Sequence, residues 1–225
     1  SVQIQNTTNI NQLLAVDAGA VRVLAGNNNL LIGAYRNGTV EIRPEASGMT
    51  LTGIVASDGG QVRSRGGATS LTVNGKVTAY RNSTLRFDGP LDVNYYNDQD
   101  LEDPGLLAWV NASIRLNGGT IDAPVEIVAS SGLEARGTAF VDPRNDTTDG
   151  FIYTAASSVV ELLYGASAGA VEADEKSSII LVESTLSMRV FDKRNSLGLH
   201  LGRRDGDSLV YFEAEDALLT SEGLQ

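Results

Sequence analysis

Ala34-Tyr35-Arg36-Asn37-Gly38-Thr39-Val40-Glu41-Ile42 returns 45 positions later as Ala79-Tyr80-Arg81-Asn82-Ser83-Thr84-Leu85-Arg86-Phe87. Both stretches alternate apolar and polar residues on either side of an Asn-Gly or Asn-Ser corner. Alternation with period two is the pattern of a half-buried strand, and an Asn-centred corner suits backbone with positive φ. A second phrase, Ser70-Leu71-Thr72-Val73-Asn74-Gly75, returns as Ser113-Ile114-Arg115-Leu116-Asn117-Gly118, shifted by 43. Recurrence at a fixed period of this size marks stacked supersecondary units. Two coils of about 22 residues fill one such period, a fitting size for rungs of a β-solenoid.

Working outward, strand-like runs bounded by Gly, Asn and Asp recur along the chain, as at Val21-Arg22-Val23-Leu24, Leu51 to Ala56 and Leu91 to Tyr95. Asp58-Gly59-Gly60, Asn74-Gly75 and Asp88-Gly89-Pro90 between such runs are turn signals. The fold expected is all-β. Residues 1–141 are read as a repetitive, β-solenoid-like region (a right-handed β-helix), with positions 1–20 able to cover its open edge. The stretch from Asp142 to Gly150 lacks any large apolar side chain and forms the candidate boundary. Residues 151–225 are read as antiparallel hairpins that cap or oligomerise the first part, with turns at Lys193-Arg194-Asn195-Ser196 and Arg204-Asp205-Gly206-Asp207. A β-sandwich or jelly roll is the alternative, since short alternating strands serve both architectures.

The chain of 225 residues carries 28 acids against 17 bases, a formal charge of −11. Such a balance argues against nucleic acid and anionic membrane surfaces as partners, because phosphate binding draws on a basic surface. No apolar run reaches the ~18 residues of a membrane-spanning helix, so no membrane insertion is expected. Without a single Cys, thiol catalysis and thiolate metal sites are excluded. Five Asn-x-Ser/Thr sequons, at Asn6, Asn37, Asn82, Asn111 and Asn145, are read as turn chemistry.

Candidate sites are few. The one histidine, His200, sits in Leu199-His200-Leu201 and reads as a surface residue, without a nucleophile and carboxylate to complete a triad. Asp98, Asp100, Glu102 and Asp103 crowd one segment, and Asp142, Asn145, Asp146 and Asp149 another. Hard cations such as calcium take several oxygens at close range, so these two loops are the candidate metal ligands. Neither has the spacing of a calcium-binding loop, and the default is a solvated acidic loop with no cofactor. Paired carboxylates also cleave glycosidic bonds. With one Trp and no visible aromatic ladder, Tyr35, Tyr80, Tyr95 and Tyr96 are the remaining candidate sugar contacts.

Asn9-Ile10-Asn11-Gln12-Leu13-Leu14 running into Val21-Arg22-Val23-Leu24-Ala25-Gly26, and Val55-Ala56-Ser57-Asp58-Gly59-Gly60-Gln61-Val62-Arg63 after it, resemble the opening of phage tail-spike β-helices. The chain departs from that family by lacking the Gly-rich run after the first strand and by its shortness. The resemblance therefore implies a homotrimeric virion component, an adhesin or a capsid or tail decoration protein, rather than a glycan depolymerase. The function expected is a non-enzymatic virion or cell-surface structural protein. Its expected partners are copies of itself, other virion or cell-surface proteins and a surface glycan, and its expected place is the virion or extracellular surface. A polysaccharide-acting β-helix enzyme and a calcium-dependent carbohydrate-binding module are the alternatives.

Overall fold

The alternating runs are β-strands, and each lies on its equivalent in the preceding turn of the chain rather than on its sequence neighbour. The computed structural model describes residues 2–5, 11–25, 30–44, 48–66, 69–95, 103–141, 151–173, 176–186, 199–201, 209–213 and 218–219. Among these residues there is no helix, and every ladder between strands is parallel. Parallel neighbours need a connection that carries the chain back to the start of the next strand. Here two further sheets supply it, and the protein is a β-solenoid with three sheets.

The first sheet stacks Ala20–Ala25, Thr39–Ile42, Gln61–Ser64, Thr84–Phe87, the opening half of Ser113–Asp122, the opening half of Gly132–Val141, Val159–Leu163 and Ser178–Val182. Ala20 pairs with Thr39, Thr39 with Gln61, Gln61 with Thr84, Thr84 with Ser113, Ser113 with Gly132, Gly132 with Val159, and Val159 with Ser178. The rungs are unequal. Those from Ala20 to Thr39, from Ser113 to Gly132 and from Val159 to Ser178 are the shortest. Those from Thr84 to Ser113 and from Gly132 to Val159 are longer and carry insertions at corners. The second sheet stacks Gln12–Val16, Leu30–Tyr35, the end of Met49–Ser57, Val77–Tyr80, Leu106–Trp109, Val125–Val128, Phe151–Ala155 and Ala170–Ala173. The third includes Leu71–Val73, Leu91–Asn94, and the closing halves of Ser113–Asp122 and Gly132–Val141.

The recurrence that links Tyr35 to Tyr80 spans two rungs. Tyr35 pairs with Ser57 on the next rung, and Tyr80 follows on the rung after that, since Ala56 pairs with Ala79. The likeness of Ser70–Gly75 to Ser113–Gly118 is not a stacking relation. Leu71 lies in the third sheet on Leu91, whereas Ile114 lies in the first sheet on Leu85. Period-two alternation is common to all three sheets, so it likens strands that never stack.

Inward-facing residues form continuous columns. Val21, Val40, Val62, Leu85, Ile114, Leu133, Val160 and Ile179 make one, and each is buried. Ala15, Ala34, Ala56, Ala79 and Ala108 make another, where the second sheet runs into a corner. Full burial of each larger side chain contributes about 1.5–3 kcal/mol, and equivalent rungs add these contributions in series.

That corner recurs with one plan: two residues at positive φ, then a small residue, then the first sheet. The pairs are Asp17-Ala18, Arg36-Asn37, Asp58-Gly59, Arg81-Asn82, Val110-Asn111, Ala129-Ser130 and Ala156-Ser157. Where the small residue is buried it is Gly38, Gly60, Ser83, Ala112, Ser131 or Ser158. A Cβ on Gly38 or Gly60 would stand 2.2 or 2.0 Å from the carbonyl oxygen of Ala15 or Ala34. Later rungs admit serine and use its hydroxyl. Ser83 Oγ donates to the Ala56 carbonyl at 3.0 Å, while Ser131 Oγ and Ser158 Oγ accept from the amides of Ala112 and Ser131 at 3.2 and 3.1 Å. Three of the sequons, at Asn37, Asn82 and Asn111, fall on this corner with φ of 63°, 61° and 55°, so turn geometry accounts for them. Asn6 and Asn145 lie outside the described residues.

Two expectations are corrected. Val2–Gln5 and Gln12–Val16 pair with Val21–Ala25 and Leu31–Tyr35, so the opening segment forms a rung instead of a cover. Beyond residue 150 the described ladders are parallel, not antiparallel: Val125 pairs with Ile152, Ile152 with Val171, Val160 with Ile179, and Ile179 with Val210. The hairpin turns expected at 193–196 and 204–207 lie outside the described residues. Positive φ at two successive residues is also what a tight hairpin uses. At Ala156-Ser157 the same local angles turn the chain into another sheet, whose strand bonds to the rung before it. The in-register parallel stack also excludes the sandwich and jelly roll.

Candidate functional site: two outward faces

The second sheet faces outward with an apolar and aromatic surface. One outward column runs Val16, Tyr35, Ser57, Tyr80, Trp109, Val128, and a parallel one runs Leu14, Gly33, Val55, Thr78, Leu107, Glu126, Tyr153, of which Gly33 and Thr78 are buried. Leu14 is 41% and Trp109 43% exposed. The Tyr80 and Trp109 rings meet edge to face, with centroids 6.0 Å apart and planes at 85°. The first column therefore brings together aromatic rings that lie far apart in the sequence, with Tyr80 and Trp109 in contact and Ser57 between Tyr35 and Tyr80. Tyr35 and Tyr80 belong to it, together with Trp109, which sequence reasoning missed. Trp109 follows Tyr80 by one of the long rungs, and only the rung lengths would have revealed the column.

Glu126 is the one carboxylate of these columns whose side chain is described. It is half-buried between Leu107 and Tyr153, and burial raises its pKa above the usual carboxylate value. Among the described residues no cation pairs with it. His200 belongs to the same column by register, since its backbone pairs with Glu172 and Glu172 with Tyr153.

The first sheet faces outward with arginines. Arg22, Glu41, Arg63, Arg86, Arg115, Glu134 and Glu161 occupy one column in successive rungs. Arg43, Arg65, Asp88 and Arg136 each stand two positions beyond a member of that column. Glu41 accepts from Arg43 at 2.5 Å and lies 3.5 Å from Arg22 and 3.8 Å from Arg65. Asp88 holds Arg63 and Arg86, each at 2.6 Å, and Glu134 holds Arg115 at 2.5 Å and Arg136 at 2.7 Å. The three carboxylates are 18–25% exposed and the seven guanidinium side chains 38–49%. Burial alone would raise the pKa of Glu41, Asp88 and Glu134. Hydrogen bonds and attraction from their arginines outweigh it and hold all three below the ordinary value. Beside this face runs a column of Thr39, Gln61, Thr84 and Ser113, with Ser113 Oγ 3.3 Å from Thr84 Oγ1.

The two acidic segments occupy equivalent places in the order of strands. Residues 96–102 fall between Leu91–Asn94 and Leu106–Trp109, and residues 142–150 between Gly132–Val141 and Phe151–Ala155, in both cases where the third sheet passes into the second. Asp103 is described, and its carboxylate accepts from Lys76 and, at 2.5 Å, from the Tyr95 hydroxyl. Lys76 also lies 5.4 Å over the Tyr95 ring. Burial would lower the Lys76 pKa, but Asp103 overrides it and raises it. Asp103 thus links Lys76, just before the second-sheet strand Val77–Tyr80, to Tyr95, just after the third-sheet strand Leu91–Asn94. Asp98, Asp100, Glu102, Asp142, Asn145, Asp146 and Asp149, like Tyr96, lie outside the described residues. Among the described residues no three His, Asp or Glu side chains gather as a metal site.

No protein-family profile matches the chain, and neither a curated protein nor a solved structure does. The class established is the fold, a parallel three-sheeted β-solenoid.

Proposed function

We propose that this protein is a non-enzymatic structural and adhesive component of a virion or cell surface, acting through self-assembly and surface recognition. The observation that carries the proposal is the outward apolar column of the second sheet, from Val16 through Tyr35, Tyr80 and Trp109 to Val128. An outward column that is apolar or aromatic at every position but Ser57, with Trp109 exposed, is the kind of surface that serves as a contact site. Its occupant is another copy of the chain. Copies each carrying −11 repel one another across charged surfaces, and the column from Val16 to Val128 itself carries no charged side chain to oppose their approach. Three copies meeting by one side each would form a closed homotrimer, with the arginine sheets left facing outward. The virion setting rests on the resemblance to tail-spike openings.

Sedimentation equilibrium of the full chain tests the assembly. A homotrimer at micromolar concentration supports it, and a monomer throughout that range overturns it. A second reading, cleavage of a polysaccharide, draws on Glu126, whose raised pKa beside Tyr153 suits a proton donor. Release of reducing ends from a surface glycan that Glu126→Gln abolishes would favour that reading over the first.

A further inference from the structure

We propose that the outer face of the first sheet binds a linear polyanionic polysaccharide, one bearing carboxylate or sulfate groups on its sugars, laid along the solenoid axis. The inference deepens the surface-recognition half of the function above and is independent of the assembly half. Seven arginines, at 22, 43, 63, 65, 86, 115 and 136, share this face with four carboxylates, Glu41, Asp88, Glu134 and Glu161. Among the described side chains of these columns, seven against four leaves an excess of three positive charges on a chain whose formal charge is −11.

The arrangement exceeds what a stabilising ion-pair network needs. Arg63, Arg86 and Arg115 stand in one column on three consecutive rungs, with no acid between them in that column. Like charges directly opposite on neighbouring strands are destabilising. Asp88 bridges two of the three from the side, and Glu134 takes the third. Each carboxylate is less exposed than the guanidinium groups it holds and acts as a strut, which leaves further N–H donors for a ligand. Guanidinium groups present a planar fork that matches carboxylate and sulfate oxygens and stay charged at every physiological pH. An anion outside the sheet offsets the repulsion that the column otherwise keeps.

Charge spacing selects the ligand. Arginines on adjacent rungs recur every ~4.8 Å, close to the advance of one sugar in an extended glycan. The adjoining Thr39, Gln61, Thr84 and Ser113 column supplies hydroxyl and amide groups for sugar hydroxyls. Nucleic acid fits less well. Its charges are denser, the rest of the chain is acidic, and Tyr164, an exposed ring beside this face, already carries the Arg136 guanidinium 5.2 Å from its centre.

The test is isothermal titration of the full chain with polygalacturonate, dextran sulfate, neutral dextran and a single-stranded DNA oligomer, across a range of salt. Binding of either polyanionic glycan, weakening with salt and absent for neutral dextran, is expected, and the preferred one tells carboxylate from sulfate. Arg63→Gln/Arg86→Gln/Arg115→Gln should lower that affinity at least tenfold and reduce the slope of log K against log salt by about two. Arg36→Gln/Arg81→Gln, at exposed corners of the second sheet, should leave it unchanged. Should the triple variant misfold by circular dichroism, Arg86→Lys with Arg115→Lys keeps the charge but removes the fork and should still cost severalfold. No binding of either glycan at low salt, equal loss in the corner variant, or preference for DNA overturns the proposal. Sedimentation run alongside separates its failure from failure of assembly.

Discussion

Tyr80 and Trp109 lie side by side on successive rungs, edge to face outside the second sheet, though a whole turn of the solenoid separates them in the chain. Such a pair contributes about 0.5–1.5 kcal/mol beyond area burial. With Trp109 43% exposed, much of its apolar surface is left over for a partner. Trp109→Ala should therefore lower the melting temperature of the dissociated chain by only about 2–4 °C, while weakening self-association at least tenfold. Sedimentation and thermal melts of one variant read both effects. A large loss of stability with unchanged association would show that the pair serves folding alone.

Corner positions predict the reverse balance. Gly60 is followed by the first sheet and approaches the Ala34 carbonyl so closely that a Cβ would stand 2.0 Å from its oxygen. Gly60→Ala should cost at least ~2 kcal/mol, a fall of roughly 4–8 °C. Ser83→Ala, which keeps the size and loses only the hydrogen bond to Ala56, should cost about 1 kcal/mol. Differential scanning calorimetry distinguishes the two.

Acid should loosen the arginine face. Glu41, Asp88 and Glu134 have folded-state pKa values below their unfolded ones, so their stabilisation is complete above the unfolded values, about 4. It is lost as pH falls through the folded values. Their arginines are partly exposed, and salt should shrink the effect. Melting temperature should fall as pH drops below about 4, and Glu134→Gln should flatten that dependence while costing about 2–4 °C at pH 7. An unchanged acid slope in the variant would remove Glu134 from the account.

Glu126 should behave with the opposite sign. Burial raises its folded pKa, so the folded state is penalised once pH exceeds the unfolded value, and below that value the penalty vanishes. Glu126→Gln should raise the melting temperature at pH 7 by about 1–2 °C and leave it unchanged near pH 3. Destabilisation at pH 7 would mean that the carboxylate has a partner.

The solenoid is legible in the sequence because alternation marks each strand and because Tyr35 and Tyr80, two rungs apart, keep the same corner around them. What stacks on what is less legible. Rungs differ in length, Ala20 to Thr39 being short and Thr84 to Ser113 long, so Arg63, Arg86 and Arg115 align although their spacing in the chain is unequal. The same irregularity hides Trp109 from Tyr80, while the alternation common to all three sheets makes Leu71 resemble Ile114, which belongs to another sheet. Local backbone angles at Ala156-Ser157 suit a hairpin as well as a solenoid corner. Only the long-range pairing of Val159 with Gly132 separates them.

Trp109 is the sole tryptophan of the chain, so its fluorescence reports directly on the second-sheet face. On dilution from tens of micromolar to nanomolar, its emission should shift to the red and become open to iodide quenching as copies separate. Emission and quenching that stay constant over that whole range, at values typical of a wet indole, would contradict assembly through this face.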